Sequence, residues 1–158
     1  MKLKKLFIVL VCIFVLAACA SKSDNQKSGE LSSNAKKIVL TKSEGDSKEL
    51  GSFAIDTKMT FNDNGGVASE LTVTLVTTYH EKRDYERDIA DSKEYYKNIK
   101  VDGLTFKVEG NEKKHSVTII TTYDDKLLTK DSASNGVKLS NNTESIIKNA
   151  EKEGFIKN

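Results

Sequence analysis

The chain has 158 residues, and the side chains with the most varied chemistry among them are those of two cysteines and two histidines. Cys12 lies inside an apolar run, and Cys19 follows that run directly. His80 and His115 stand among polar neighbours and belong to no metal-ligand motif. If the residues before Cys19 are removed, one cysteine remains, so the sequence predicts no intramolecular disulfide, no metal site and no cofactor.

The residues around Cys19 predict that its thiol carries a lipid. Lysines occupy the segment from Met1 to Lys5, an apolar run follows, and Leu16-Ala17-Ala18 leads into Cys19. A charged start, an apolar middle and small residues at the end are typical of a cleavable signal peptide. The apolar part is shorter than the roughly 18 residues of a membrane-spanning helix. The last four residues match the lipobox, which implies alkylation of Cys19 with diacylglycerol and cleavage between Ala18 and Cys19.

The chain therefore divides into three predicted parts. Residues 1–18 are a signal peptide, residues 19–35 are the lipidated cysteine with a polar tether, and residues 36–158 are one domain. The tether lacks periodicity and is rich in Ser, Lys and Asn, as flexible linkers are. It would hold the domain roughly 20–25 Å from the membrane on average.

The charge balance argues against nucleic acid as a partner. The whole chain has 25 basic and 23 acidic residues, and three lysines leave with the signal peptide. The remainder has 22 basic residues against 23 acidic ones, a net charge of −1. A near-neutral chain without a basic stripe has no electrostatic surface suited to a phosphate backbone.

Alternating apolar and polar residues predict β-hairpins. The runs Phe53–Phe61 and Leu71–Tyr79 alternate and are separated by Asn62–Gly66, a segment rich in turn residues. A shorter strand is predicted near residues 37–41. A second hairpin is predicted from Leu104 to Tyr123, and a further short strand at residues 136–139.

Two helices complete the prediction. An apolar stripe with spacings of four and three residues predicts the first helix, and it comprises Tyr85, Ile89, Ser92, Tyr96 and Ile99. Asn141 and Glu144 resemble a capping box that opens the second helix, which Gly154 and Phe155 would end.

The fold class predicted from this order is α+β, an antiparallel sheet of hairpins with two helices on one face. The strand Val73–Tyr79 is echoed by Val117–Tyr123, since both read as Val-Thr, two aliphatic residues, Thr-Thr-Tyr. This echo favours a ββα-ββα order that arose by internal duplication. Convergence is the alternative, because Val, Ile and Thr are common in any strand.

The echoed strands also supply a candidate binding face. If their odd positions face the core, the even positions are exposed: Thr72, Thr74, Val76 and Thr78 in one strand and Thr118, Ile120 and Thr122 in the other. Should the two strands be neighbours, these residues form a flat, threonine-rich surface. The alternative is an ordinary solvent-facing side of a sheet.

The chain resembles the YehR-like lipoproteins, a bacterial family of unknown function with a small α+β domain. The resemblance covers residues 19–158 and rests on the order of lipobox, tether, hairpin, helix, hairpin and helix. Local matches are Tyr95–Ile99, Gly136–Ser140 and Gly154–Lys157. It implies a fold and a location but no catalytic or ligand residue.

The predicted function is that of a non-enzymatic binding or interaction module at the cell envelope. No nucleophile elbow, phosphate loop or calcium loop is present in the sequence, so no catalytic residue is assigned. The predicted partners are the bilayer, through acylated Cys19, and an unidentified small envelope ligand or protein. The predicted location is the extracytoplasmic face of a Gram-positive plasma membrane. A hydrolase or modifying enzyme for envelope polymers, with an unmarked carboxylate pair, is the alternative.

Replacing Cys19 tests the predicted anchor. We expect Cys19→Ala to abolish incorporation of labelled palmitate and to leave the precursor uncut, because both steps need the thiol. Labelling measures the incorporation of palmitate, and fractionation of cells into membrane and medium shows where the protein is found. Processed Cys19→Ala protein that stays in the membrane like the wild type would refute the anchor.

Overall fold

The computed structural model describes residues 35–45, 51–128 and 141–158. The predicted signal peptide, nearly all of the tether and the predicted strand at residues 136–139 lie outside these ranges. The described strands are β1 (Lys36–Glu44), β2 (Ser52–Asp63), β3 (Ala68–Tyr79), β4 (Leu104–Asn111), β5 (Ser116–Tyr123) and β6 (Ile156–Lys157). The described α-helices are α1 (Lys82–Asn98), α2 (Asp125–Leu128) and α3 (Thr143–Lys152), and a 3-10 helix (Glu112–Lys114) joins β4 to β5.

The described strands form one antiparallel sheet in the order β4-β5-β3-β2-β1-β6. The α+β class and the two predicted hairpins are thereby confirmed. The β2–β3 hairpin turns at Gly65 and Gly66, which have φ angles of 67° and 93°. Glycine tolerates this left-handed region at little steric cost. Asp63 Oδ1 accepts hydrogen bonds from the Gly66 N–H (2.7 Å) and from Thr143 Oγ1 (2.8 Å), so the turn also fixes the start of α3.

The predicted ββα-ββα order is wrong, and the arrangement of elements does not support an internal duplication. Among the described elements, three strands precede α1, and two strands, two α-helices and a short strand follow it. The echoed strands instead pair directly with each other, with Val73 opposite Thr121 and Thr77 opposite Val117. Both are central strands with one side on the core, and this common environment accounts for their shared Val, Ile and Thr residues.

One side of the sheet carries all the described helices, as predicted. In β3 the alternate residues Leu71 and Val73 contact a core cluster that contains Ile146 of α3. On the same side of that strand, Tyr79 packs with Tyr85 of α1. Since side chains two residues apart along a strand share a face, α1 and α3 lie on the same side.

The ends of α3 show how local chemistry fixes this packing. The side chain of Asn142 caps the helix by accepting the Ser145 N–H at 2.8 Å. The predicted cap, Asn141, is wrong by one residue, because its carbonyl oxygen accepts the Ala68 N–H (2.7 Å) from β3. At the other end Gly154 reverses the chain, as predicted, and Phe155 enters the core. The tail then adds β6 to the edge of β1, an element that the sequence analysis missed.

A buried polar link joins α1 to the sheet. The Tyr79 hydroxyl donates to Asp88 Oδ2 at 2.5 Å, and Ser92 Oγ donates to Asp88 Oδ1 at 3.1 Å. All three side chains are buried. Burial raises the pKa of the Tyr79 phenol from 10.0 to about 12, against a smaller opposite effect of the positive charge of Arg87. The link therefore depends on a protonated phenol.

Removing the Tyr79 hydroxyl is expected to destabilise the fold in a pH-dependent way. Tyr79→Phe leaves Asp88 with one hydrogen bond fewer, which costs about 1–3 kcal/mol. The folded protein keeps this proton up to about pH 12, whereas the unfolded chain releases it near pH 10. The stabilisation is therefore complete below pH 10 and is lost as the pH rises from 10 to 12.

Urea unfolding of the wild type and of Tyr79→Phe at pH 8, 10 and 11 measures this difference. We expect the difference in unfolding free energy between the wild type and Tyr79→Phe to become smaller as the pH rises. Tyr95→Phe is the control, since Tyr95 is an exposed side chain on the same helix as Asp88. A gap that is constant from pH 8 to 11, or equal in both variants, would contradict the role of the phenol.

Candidate functional site

The structure brings the predicted site residues together on the side of the sheet opposite the helices. Strands β3 and β5 are neighbours, and Thr72 lies directly opposite Thr122. Thr74 lies opposite Ile120, and Thr118 lies opposite Val76. In the same register Thr78 faces Ser116. Because the two strands are neighbours, their threonines form a continuous surface. Thr122 is exposed, and the threonines near it are half-buried.

This surface, which we call the open face, continues onto β1, β2 and β4, and the strand register arranges it in four rows. Row 1 contains Val39, Thr60, Thr72, Thr122 and Thr105; row 2 contains Thr41, Lys58, Thr74, Ile120 and Lys107; row 3 contains Ser43, Asp56, Val76, Thr118 and Glu109; row 4 contains Ala54, Thr78, Ser116 and Asn111. The buried hydrophobic clusters that include residues of α1, α2 and α3 contain none of these side chains.

A groove of about 550 Å³ lies at the row 1 end of the open face. Its lining combines threonines of row 1 with charged and polar residues beyond them: Lys37, Thr60, Phe61, Asn62, Glu70, Thr72, Thr122, Tyr123, Asp124 and Asp125. Two of the five threonines predicted for the binding face, Thr72 and Thr122, line the groove. The other three, Thr74, Thr78 and Thr118, lie farther along the open face.

Glu70 shapes the groove through an unusual backbone conformation. It is a non-glycine residue with a φ of 54°, at a β-bulge where the β2–β3 register shifts between Thr60 and Asn62. The left-handed region costs a residue with a Cβ atom roughly 1–2 kcal/mol. Two hydrogen bonds hold it there: the Glu70 N–H donates to Asp125 Oδ1 (2.7 Å), and Asn62 Nδ2 donates to Glu70 Oε2 (2.8 Å).

The other side of the groove is built at the end of β5. Asp124 Oδ1 accepts the Lys126 N–H at 2.9 Å, and the Asp124 N–H donates to the Gly103 carbonyl at 2.7 Å. These bonds turn the chain from β5 into α2, whose Leu128 enters the core. Asp124 and Asp125 are thereby presented at the groove as exposed carboxylates.

The groove offers mainly hydrogen-bond acceptors. Three carboxylates accept only, the threonine hydroxyls donate or accept, and the Lys37 ammonium donates. In the part of the chain that the structure describes, no group of three or more His, Cys, Asp or Glu side chains is placed to hold a metal ion. His115 lies away from this groove and stacks on Tyr85, with ring centroids 6.2 Å apart. The lining thus suits a ligand rich in N–H and O–H donors.

Sequence reasoning missed most of the groove, although two signals pointed to it. In β3 the buried residues Ala68 and Leu71 are three positions apart instead of two, the spacing that a bulge at Glu70 produces. The second signal is the pair Asp124-Asp125, which the sequence alone identifies only as an acidic turn after a strand. Nothing in the sequence placed these residues beside Lys37, which comes from β1.

Comparisons with known proteins leave the function open. No protein-family model matches the chain, and no curated protein is significantly similar to it. The chain is similar to a solved structure described as the NMR structure of the protein from Streptococcus pneumoniae TIGR4. That similarity has 16% identity and a TM-score of 0.45, and it covers 90% of this chain and 99% of that one. None of the described helices is long and apolar enough to cross a membrane.

The conformation of Glu70 makes a testable stability prediction. Both Glu70→Ala and Glu70→Gly remove the carboxylate, but only glycine adopts a φ of 54° without steric cost. We expect Glu70→Gly to be more stable than Glu70→Ala by about 1 kcal/mol. Thr118, which lies in a regular part of β5, is the control: there glycine should be less stable than alanine by about 0.5–1 kcal/mol. Chemical unfolding measures the stability of all four variants. If glycine and alanine ranked in the same order of stability at both positions, the strain at Glu70 would be refuted.

Proposed function

We propose that this protein is a lipid-anchored, extracytoplasmic binding module that holds a small polar envelope ligand in the groove beside Glu70. The observation that carries the proposal is the groove itself, which lies at the end of a threonine-rich sheet face that α1, α2 and α3 leave open. Its lining contains a residue kept in an unfavourable backbone conformation. Such strain is concentrated at functional sites in proteins.

The anchor is proposed from the sequence around Cys19, and the fold gives it a spatial consequence. Lys37, which lines the groove, is the second residue of β1. The groove therefore lies close to the point where the tether enters the domain. A tether of this length keeps that point roughly 20–25 Å from the bilayer on average. The proposed ligand is accordingly one that occurs near the outer membrane surface, and membership of the YehR-like lipoproteins is part of the proposal.

The chemistry of the lining favours a saccharide or a short peptide as the ligand. Both carry many N–H and O–H donors for the carboxylates Glu70, Asp124 and Asp125. Phe61 and Tyr123 also line the groove, but their side chains lie in the core, 1% and 3% exposed, so the polar residues supply the surface that a ligand would contact.

The alternative, an envelope-polymer hydrolase, finds support in the carboxylates that share this groove. A hydrolase of this type needs a carboxylate pair that can exchange protons with the substrate. Two of the three carboxylates have structural hydrogen bonds to backbone N–H groups, Asp125 to Glu70 and Asp124 to Lys126. The third, Glu70, accepts a hydrogen bond from Asn62. These bonds hold each carboxylate in place through one oxygen, and its remaining lone pairs can still accept donors from a bound ligand.

A ligand screen tests the proposal. The chain from residue 19 with Cys19→Ser would be screened by thermal shift against peptidoglycan fragments, oligosaccharides and short peptides. A ligand at about 100 times its dissociation constant stabilises by roughly 2.7 kcal/mol, which moves the midpoint by several degrees. We expect a shift from one of these classes, because each offers the donors that the groove accepts.

Matched variants locate the bound ligand. Thr72→Val removes one hydroxyl of the groove at nearly constant volume and should weaken binding about fivefold, the equivalent of about 1 kcal/mol. Thr118→Val makes the same change outside the groove and should leave the affinity unchanged. Equal effects of the two variants would place the ligand elsewhere. Turnover of an envelope polymer that Glu70→Gln abolishes would favour the hydrolase.

A further inference from the structure

The charges of the open face are sorted into two adjacent rows. Lys58 and Lys107 lie in row 2, and Asp56 and Glu109 lie in row 3. The order is Asp then Lys along β2, but Lys then Glu along β4. Because β2 and β4 run in opposite directions in the sheet, both lysines fall in one row and both acids in the next. All four side chains are exposed, and Lys107 Nζ lies 2.6 Å from Glu109 Oε1 of the same chain, so in a dimer this pair would exchange its partner for the equivalent one across the interface.

This arrangement is self-complementary under one particular two-fold rotation. Consider an axis that lies above the open face, crosses the strands and passes between rows 2 and 3. The rotation places row 2 of one copy over row 3 of the other while each strand stays over itself. Lys58 then faces Asp56 of the second copy, and Lys107 faces Glu109 of the second copy.

We propose that the open face is the interface of a symmetric homodimer in which two copies pack face to face about this axis. The uncharged positions also match in this arrangement. Val76 faces Thr74 of the second copy, and Ile120 faces Thr118 of the second copy, so each aliphatic side chain meets a threonine methyl group. A single patch that pairs with itself is the usual form of a two-fold interface.

The other in-plane axis gives the opposite electrostatic result. A two-fold axis parallel to the strands, between β3 and β5, keeps each row over itself and exchanges β2 with β4. Lys58 would then face Lys107 of the second copy, and Asp56 would face Glu109. Like charges brought together at an interface oppose association, so the charge rows select one orientation.

The size of the open face suits a weak dimer. Five strands about 4.8 Å apart and four rows about 7 Å apart make a patch of about 650 Å². Two such patches bury about 1,300 Å² in total, just above the lower limit of about 1,200 Å² for stable interfaces. Two sheets that face each other with their strands nearly aligned form an ordinary sandwich. Confinement to a membrane raises the effective concentration, so a weak interface is sufficient there.

The dimer leaves both proposed ligand grooves in place. Each groove includes Thr60, Thr72 and Thr122 of row 1 and extends beyond that row. The rotation places row 1 over row 4, so the two grooves fall at opposite ends of the sandwich and share only this outermost row with the interface. None of the four charged residues lines a groove. The inference is therefore independent of the proposed ligand, and ligand binding by a Lys58 variant can be measured separately from dimerisation.

Sedimentation equilibrium of residues 19–158 with Cys19→Ser, from about 1 μM to about 1 mM, tests the dimer. This piece contains every described residue of the core. We expect a monomer–dimer equilibrium that weakens with added salt, since the facing charges are screened. Lys58→Asp should raise the dissociation constant at least tenfold, because two attractive pairs become repulsive. Lys93→Asp changes the net charge equally on an exposed position of α1 and should have no such effect.

The charge-swapped variant Lys58→Asp/Asp56→Lys gives the decisive comparison. It restores opposite charges across the proposed axis, and it should recover the dissociation constant of the parent chain to within about threefold. Circular dichroism checks that each variant is folded. A chain that stays monomeric up to about 1 mM, or a dimer that Lys58→Asp and Lys93→Asp weaken equally, would overturn the proposal. Failure of the swap to restore a dimer that Lys58→Asp has weakened would also overturn it.

Discussion

The antiparallel pairing of β3 with β5 is the constraint on which the rest of this structure depends. It joins the two halves of the chain at the centre of the sheet, with Leu75 opposite Ile119 and Thr74 opposite Ile120. A slip of one residue would exchange the two faces of either strand, since side chains alternate along it. Burial of the aliphatic positions beneath the helices therefore fixes the register. The same register also aligns the threonines on the opposite side.

A sheet covered on one side must satisfy different demands on its two faces. Beneath α1 and α3 the strands supply large apolar side chains such as Phe61, Met59 and Leu71. On the open face threonine keeps the β-branched shape that strands favour and adds a hydroxyl that can bind water or a partner. The short strand β6 limits exposure of the backbone at the edge of β1, which otherwise could pair with another chain. The open face thus combines strand-forming residues with hydrogen-bonding capacity.

Much of the fold follows from local patterns, whereas the site depends on pairing across the sequence. Alternation predicts β2, β3 and β5, and the four-and-three spacing from Tyr85 predicts α1, because each pattern is a property of one element. The strand order cannot be obtained in this way. The echo between β3 and β5 suggested duplication, although the residues that match are those that any central strand uses.

The bulge at Glu70 and the tail strand β6 depend on partners more than fifty residues away, Asp125 and β1. The groove needs residues from distant parts of the sequence: Lys37 belongs to β1, while Asp124 follows β5.

The bulge also explains why the groove and the rows of charge can share one face. A regular strand would continue the rows past Thr72, and the open face would remain flat to the end of β3. The extra residue at Glu70 shifts the register there. Asp125, which follows β5, accepts the Glu70 N–H and so holds the displaced backbone. The flat part then ends at row 1, and a concave part begins beside the point where the chain enters the domain. A flat surface with sorted charges suits a second protein surface, and a concave surface with converging acceptors suits a small ligand. One irregular residue in β3 therefore separates the two proposed recognition surfaces on a single sheet.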